Sequence, residues 1–234
     1  MKILPILLFF ISALFATLDT AAQENLEKTK DTLAQKTKYG LRFGADLSKP
    51  LRSVLEDGYQ GFELLADFRI QDRFYLAAEL GNEKKEYLKP NINALTKGSY
   101  FKVGLNYNAY LNWAGMTNEI FTGLRYGFSS FSQELKGYEI YSTNQSFPPT
   151  FVTQNIEYSG LTAHWAEFIL GVKTEVLNNV YLSLNLQLKR KLSEVVPENF
   201  DNLYIPGFNR TYDFSQWGVG YGYNLTYLLP LIKK

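Results

Sequence analysis

Apolar and polar residues alternate along most of the chain from Tyr39 onward. Successive side chains of a β-strand point to opposite faces, so this alternation predicts strands whose two faces meet different surroundings. In the clearest segment, Phe101, Val103 and Leu105 alternate with Lys102 and Gly104. Eight segments show the pattern, at residues 39–47, 61–70, 74–80, 100–111, 120–128, 166–176, 180–188 and 213–229.

The links between these segments alternate in length. Residues 48–60, 81–99, 129–165 and 193–212 form long links, and residues 71–73, 112–119 and 178–179 form short ones. Long and short links therefore fall at opposite ends of the strands, which is typical of a bacterial membrane barrel with short periplasmic turns and long extracellular loops. We predict an all-β fold, an eight-stranded antiparallel up-and-down transmembrane β-barrel over residues 39–229.

Alternation alone does not say which face is inside. A soluble, lipocalin-like ligand carrier also alternates, with its apolar side inward. Here the polar sides mix charged residues with glycines, which suit a crowded interior better than an exposed strand centre. Aromatic residues near the segment ends suit the boundary between membrane and water. These features favour the membrane barrel, and the soluble carrier is the alternative.

The polar faces carry as many cationic as anionic side chains. An eight-stranded barrel is just wide enough to be filled by its own side chains, and pairing offsets the cost of burying charge. We therefore predict an ion-pair network that plugs the lumen. Its members are Arg42, Asp46, Glu63, Asp67, Arg69, Glu79, Lys102, Arg125, Glu167, Lys173, Glu175 and Lys189.

The N-terminal residues have the pattern of a secretory signal. Lys2 precedes an apolar run over residues 3–16, and small residues at 20–22 precede Gln23. We predict a signal peptide over residues 1–22, cleaved near Gln23, and a polar periplasmic leader over residues 23–38. A membrane anchor is the alternative, but the run is shorter than the roughly 18–20 residues that a spanning helix needs. Residues 230–234 are predicted to form a C-terminal tail.

The chain resembles small eight-stranded outer-membrane barrels of the OmpA and OmpX kind, and more closely the domain-of-unknown-function barrel families of Bacteroidota. The cleavage region at Ala22 and Gln23, the opening strand at residues 40–48 and the final strand carry this resemblance. In the final strand, Gln216, Gly218, Tyr221 and Tyr223 resemble the signal that the barrel-assembly machinery reads. The resemblance implies a location in the outer membrane, and roles in adhesion, host interaction, envelope structure or, in a few relatives, lipid modification.

Composition excludes several kinds of chemistry. The chain has no cysteine, which excludes disulfides, thiolate metal sites and a lipidated cysteine anchor. A net charge of +1 gives no indication of nucleic-acid binding. The single histidine, His164, excludes metal sites built on two or three histidines, and we predict no metal and no cofactor.

His164 is the one candidate catalytic residue. With a hydroxyl from Ser159 or Thr162 it could form a lipid hydrolase or acyltransferase site. A position in the aromatic belt at the membrane boundary is the simpler explanation and the one we favour. The long links offer aromatic side chains for binding an extracellular protein, glycan or lipopolysaccharide. These are Tyr138, Tyr141, Phe147, Phe151, Tyr158, Phe200, Tyr204 and Phe208.

These rings could instead extend the barrel wall above the membrane. The sequence thus predicts a non-enzymatic outer-membrane protein with a role in envelope structure or surface interaction. Its expected partners are membrane lipid and, during insertion, the barrel-assembly machinery. The alternative functions are a lipid-modifying enzyme that uses His164 and the soluble carrier.

Overall fold

The computed structural model describes residues 38–110, 118–140, 150–212 and 214–233. The predicted signal peptide lies outside these residues, as does the leader apart from Lys38. The described elements, in chain order, are β1 (Lys38–Asp46), α1 (Ser48–Leu55), β2 (Tyr59–Arg69), β3 (Phe74–Lys89), β4 (Ile92–Asn108), β5 (Glu119–Ile140), β6 (Thr150–Leu177), β7 (Val180–Glu194), β8 (Tyr204–Ile205), β9 (Asn209–Arg210) and β10 (Trp217–Lys233).

Eight of these strands form one antiparallel sheet that closes on itself into a ring. The strand order around the ring is β1, β10, β7, β6, β5, β4, β3, β2, and β2 pairs again with β1. Neighbours in the ring are thus neighbours in sequence, except where β10 meets β1 to close it. The predicted all-β class and the eight antiparallel strands in up-and-down order are confirmed. The described part of the chain contains no helix with the length and apolarity needed to cross a bilayer.

Two of the predicted short turns lie at one end of the ring, which we call the short-link end. Between β2 and β3, the Ile70 N–H donates to the Phe74 carbonyl at 2.9 Å. Between β6 and β7, Asn179 has a φ of 64°, a left-handed conformation that asparagine tolerates and that tight hairpins require. The opposite end, where α1 and the β8–β9 hairpin lie, is the long-link end.

The apolar faces of the strands point out of the ring. Leu105, Leu124 and Leu186 are 48%, 67% and 70% exposed, whereas the inward-pointing Lys102 and Arg125 are 1% and 5% exposed. We call the outward set the apolar band, and all eight strands of the ring contribute to it. It includes Leu41, Phe43, Phe62, Leu64, Phe68, Leu76, Leu80, Phe101, Val103, Leu105, Ile120, Leu124, Phe168, Leu170, Val172, Leu184, Leu186, Leu188, Val219, Tyr221 and Leu225.

Beyond the band, towards the long-link end, the polar and apolar faces of β5 and β6 exchange sides. On β5 the outward Ser130 is exposed, whereas the inward Phe131 and Leu135 are buried. This end of the ring therefore has an apolar core of its own. The core consists of Tyr100, Phe131, Leu161, Ala163, Trp165, Ile205 and Phe208.

The exchange of faces corrects the predicted long links. Most of residues 81–99 and 129–165 continue strands β3 to β6, and residues 141–149 lie outside the described part. At the edge of the band the apolar residues no longer continue at the outward positions. The alternation is interrupted there, and the sequence pattern therefore predicted that each strand ends at this point. The first link contains α1, and the seventh contains the β8–β9 hairpin.

The last strand also differs from its prediction. It begins at Trp217 rather than Asp213, and it continues through Pro230 to Lys233. Gly40 pairs with Pro230, and the register shifts between Tyr39 and Gly40. A register irregularity is a place where a strand tolerates proline. Most of the predicted tail is therefore part of the ring.

Trp165 is fully buried because the neighbouring strand has a glycine beneath it. A Cβ atom at Gly127 would lie 2.1 Å from the indole Cε2 of Trp165. Replacing Gly127→Val should therefore lower the free energy of unfolding by about 1–3 kcal/mol through overpacking. Urea unfolding followed by tryptophan fluorescence measures this change.

The control for this experiment is Thr122→Val, an outward position on the same strand. It should change the free energy of unfolding by less than about 0.5 kcal/mol. Equal unfolding curves for the two variants would contradict the packing described for Trp165.

Candidate functional site

The interior of the ring holds charged side chains at three heights. Nearest the short-link end is the lower cluster, made of Arg42, Asp67, Glu119 and Lys173. Arg42 lies 2.5 Å from both Asp67 and Glu119, and Lys173 lies 2.7 Å from Asp67. The side chains of all four are at most 5% exposed. Two cations and two anions thus neutralise one another away from water.

The middle cluster consists of Glu63, Glu79, Lys102, Arg125, Glu167 and Lys189. Lys102 contacts Glu79 and lies 3.1 Å from Glu63 and 4.0 Å from Glu167. Arg125 reaches Glu79 at 3.2 Å, and Lys189 reaches Glu167 at 3.8 Å. This cluster contains three cations and three anions, so its charges are also balanced.

At the long-link end, Glu83 is the centre of the mouth cluster, which also contains Lys49, Tyr59, Tyr204 and Gly207. The carboxylate of Glu83 lies 2.6 Å from the Lys49 ammonium. It accepts hydrogen bonds from the Tyr59 hydroxyl, the Tyr204 hydroxyl and the Gly207 N–H at 2.7–2.9 Å. Glu83 has no exposed surface. One carboxylate therefore fastens α1 and the β8–β9 hairpin to β3.

Charge–charge contacts also hold α1 to the ring. Burial disfavours the charged form of Lys49, but the carboxylates of Glu83 and Glu63 outweigh it and raise the pKa of Lys49 above its ordinary value. Burial likewise opposes ionisation of Glu56, yet hydrogen bonds from Lys85 and Arg52 lower its pKa. Both groups are charged at neutral pH, so both ends of α1 are tied by ion pairs.

The β8–β9 hairpin fills the interior at this end. Ile205 and Phe208 are buried, and the Phe208 ring packs edge-on against Trp165 with centroids 6.1 Å apart. Gly207 has a φ of +81°, and a Cβ there would lie 2.6 Å from the Tyr100 ring, so only glycine fits this turn. Deeper in the ring, a cavity of about 30 Å³ beside Asn106 has room for about one or two water molecules.

The structure brings nine of the twelve predicted lumen residues into the lower and middle clusters. The other three, Asp46, Arg69 and Glu175, lie elsewhere. Asp46 is buried and accepts hydrogen bonds from the backbone N–H groups of Ser48 and Tyr223. Arg69 donates to turn carbonyls, and Glu175 accepts from the Asn179 N–H, both at the short-link end.

Sequence reasoning missed three charged members of the clusters. Glu119 lies just before the predicted fifth segment and continues the inward positions of Phe121 and Gly123. Glu83 similarly continues the inward side of β3 beyond its predicted end. The period-two pattern could have found both. Lys49 lies on a helix at a position that no strand pattern indicates.

Two of the predicted loop-binding aromatics are inside the ring. Tyr204 and Phe208 are each 2% exposed, because their link folds inward instead of outward. They are unavailable to an external ligand, which corrects the sequence-based assignment. Tyr158 stacks on Phe200 with ring centroids 6.1 Å apart.

The remaining loop candidates are placed as follows. Phe151 is exposed and Tyr138 is half-buried, and both belong to strands. Tyr141 and Phe147 lie outside the described residues.

His164 lies on the outer wall at the edge of the apolar band. Its Nδ1 is 2.5 Å from the Tyr126 hydroxyl, and its ring lies 4.9 Å from that of Phe128. The imidazole thus lies among outward-facing aromatic rings and has a phenol hydroxyl as its hydrogen-bond partner. Among the described residues, no group of three or more histidine or acidic side chains is arranged to hold a metal ion.

The predicted assembly residues lie just before β10 and in its first half. Gln216 precedes the strand, and its carbonyl accepts from the Lys191 N–H at 2.8 Å. Gly218 lies against the Phe208 ring, and Tyr221 is 57% exposed. Tyr223 follows on the same outward side.

Replacing Glu83→Gln tests the mouth cluster. The change leaves the Lys49 ammonium buried opposite a neutral amide, so it should lower the free energy of unfolding by about 3–5 kcal/mol. It should also increase hydrogen exchange in β8 and β9. Urea unfolding and hydrogen exchange detected by mass spectrometry measure these two effects.

The matched control is Glu86→Gln on the outward side of the same strand. Its pair with Lys136 is partly exposed, so its loss should cost less than about 1 kcal/mol. A similar loss of stability in both variants would show that Glu83 has no special role in closing the mouth.

Comparison with known proteins places the chain in a family. The search of curated proteins gives no match. A family model described as a domain of unknown function, DUF6048, matches residues 4–234. Since this match covers nearly the full length, the chain belongs to the DUF6048 family.

Proposed function

We propose that this protein is a β-barrel of the bacterial outer membrane, sealed along its axis and non-enzymatic. Its eight ring strands cross the membrane, with the short-link end in the periplasm and the long-link end outside the cell. The part that projects beyond the membrane serves envelope structure or surface contacts. The single observation that carries this proposal is the outward apolar band around a buried, charged interior.

The band is too extensive for a surface in contact with water. Leu124, Leu186 and Val219 are each at least 67% exposed, on three different strands. Exposed apolar area costs about 25 cal/mol per Å² in water. Soluble monomers rarely expose apolar patches larger than about 300–600 Å², whereas all eight ring strands contribute to this band. A hydrocarbon environment removes that cost, and a soluble carrier would need the opposite arrangement.

The height of the band fits a bilayer. On β5 its outward residues extend from Ile120 to Phe128, and on β7 from Val180 to Leu188, nine residues in each case. A tilted strand of about 9–11 residues crosses the hydrocarbon layer. On β5, beyond Phe128, the outward face becomes polar and the inward face apolar, as in a soluble protein. The exchange is what a strand needs when it leaves lipid and enters water.

The filled interior favours a sealed barrel over a pore. The lower, middle and mouth clusters occupy the axis at three heights, and the β8–β9 hairpin covers them. Eight strands leave an interior that side chains can fill. The role we propose therefore lies in the wall and in the projecting end.

The projecting end supports a surface role. β5 and β6 extend well beyond the band to Ile140 and from Thr150. The apolar core around Trp165 and the mouth cluster hold this end together, and a well-packed scaffold suits recognition. His164 contributes to the aromatic belt through Tyr126 in this proposal and has no catalytic role.

A charge placed in the band distinguishes a membrane barrel from a soluble one. Leu184 lies at the centre of the β7 part of the band, and Leu192 lies beyond it on the same strand. Replacing Leu184→Arg should lower the free energy of unfolding in phosphatidylcholine vesicles by about 2–4 kcal/mol, because arginine enters the hydrocarbon centre.

The control is Leu192→Arg, which should have an effect below about 1 kcal/mol because position 192 faces the interface or water. Folding is measured by heat-dependent gel mobility at increasing urea concentrations. A chain that remains water-soluble, or tolerates both arginines alike, would contradict the proposal.

Electrical recording tests the sealed interior. The purified wild-type protein in planar bilayers should show no steady conductance above background, because paired side chains fill the axis. Stable open-channel currents from the wild-type protein would refute the sealed barrel.

A further inference from the structure

The outer wall carries a polar surface directly above the apolar band, on β3, β4 and β5. The register places Leu80, Phe101 and Phe128 side by side as the last apolar row. Asn82, Ser99 and Ser130 form the next outward row, and Lys84, Lys97 and Ser132 form the row after that. We call the last two rows the lysine–serine shelf.

Two like charges face each other in this shelf. Lys84 and Lys97 are direct cross-strand partners, and like charges in that position are destabilising. Among the described residues, neither lysine forms an ion pair with a carboxylate. The nearby Glu86 pairs with Lys136 at 2.9 Å. The hydrogen bond from Lys136 and, at longer range, the charge of Lys84 lower the pKa of Glu86. Among the described residues, no carboxylate forms an ion pair with both ammonium groups of the shelf.

The row between the lysines and the band can donate hydrogen bonds. The Asn82 amide donates to the Ser99 hydroxyl oxygen at 2.9 Å, which leaves the Ser99 O–H available as a donor. Ser130 and Ser132 add two further hydroxyl groups. These groups line a shallow depression of about 740 Å³ that Gln60 and Ser53 extend towards α1. The depression is large enough for a phosphate with its attached sugar or glycerol.

The cation Arg190 on β7 is placed differently. Its guanidinium lies over the Trp217 ring of β10, 5.6 Å from the ring centroid. A cation–π contact already occupies Arg190. Lys84 and Lys97, by contrast, lie side by side on β3 and β4.

The height of the lysines matches the lipid headgroups. Lys84 is four residues beyond Leu80, which corresponds to about 10 Å along the membrane normal for a strand tilted by about 40°. Headgroup layers begin at the hydrocarbon edge and are about 5–7 Å thick. Lysine side chains can bend several ångströms towards that layer.

We propose that the lysine–serine shelf binds the phosphate groups of a phosphorylated lipid in the leaflet at the long-link end. This inference rests on the proposed membrane location. Lys84 and Lys97 supply the positive charge, the serine hydroxyls donate to phosphate oxygens, and the apolar row at Leu80, Phe101 and Phe128 contacts the acyl chains. The bound lipid replaces the missing anion between the two lysines.

Native mass spectrometry of the full, folded chain in detergent tests the proposal, with lipid A carrying two phosphates as the probe. The wild-type chain should bind it at least about tenfold more tightly than lipid A from which the phosphates were removed, since a pair of cations confers this order of preference. The double variant Lys84→Gln/Lys97→Gln should lose most of the preference. The matched control, Lys89→Gln near the tip of β3, should retain it.

Three results would overturn the lipid assignment. They are no preference for phosphate in the wild type, an unchanged preference in the double variant, and equal occupancy of the shelf by inorganic phosphate in competition with the lipid. Folding of the double variant is checked in phosphatidylcholine vesicles by heat-dependent mobility. It should be at least as stable there as the wild type, because a like-charge pair has been removed.

The same vesicle experiment separates this proposal from the membrane proposal. A wild-type chain that folds into phosphatidylcholine vesicles but shows no phosphate preference leaves the membrane barrel standing and refutes the shelf. A wild-type chain that enters no vesicle refutes both.

Discussion

A closed ring of only eight strands imposes the central constraint, because its interior has no room for bulk water to solvate charge. Charged side chains that point inward must therefore neutralise one another. The lower cluster pairs two cations with two anions, the middle cluster pairs three with three, and Lys49 pairs with Glu83 at the mouth. Balance at each height allows a charged interior to be buried. It also leaves the apolar faces no place except outside, and the membrane proposal follows from that placement.

The polarity of the outer and inner faces of the wall differs on the two sides of the edge of the band. Towards the short-link end it is apolar outside and charged within. Towards the long-link end it is polar outside and encloses a core around Trp165 and Phe131. Glu83 lies in this second region, where it connects β3 to α1 and to the hairpin. A single strand such as β5 thus serves two environments along its length, and the lysine–serine shelf lies at the boundary between them.

The sequence predicted the eight ring strands because the period-two pattern is strong wherever outward apolar positions and inward charged positions alternate. The prediction failed where apolar residues move from the outward to the inward positions, as between Phe128 and Phe131. A stretch of sequence that spans such a change shows no regular alternation. The ion pairs Arg42–Asp67 and Lys102–Glu63 join residues that the sequence pattern had assigned to the polar, inward faces of the strands. The inward fold of Tyr204 and Phe208 and the contribution of Lys49 depend on tertiary packing, which has no local signal in the chain.

Accessibility scanning along β5 tests whether the apolar band contacts lipid and the wall beyond it contacts water. The chain has no cysteine, so spin labels can be attached to single cysteines introduced at the even-numbered positions from 120 to 136, with the protein in phosphatidylcholine vesicles. We expect labels at 120–128 to collide with lipid-soluble oxygen and labels at 130–136 to collide with a water-soluble nickel chelate, with the change between Phe128 and Ser130. Water accessibility at all of these positions, or a boundary elsewhere on the strand, would contradict it.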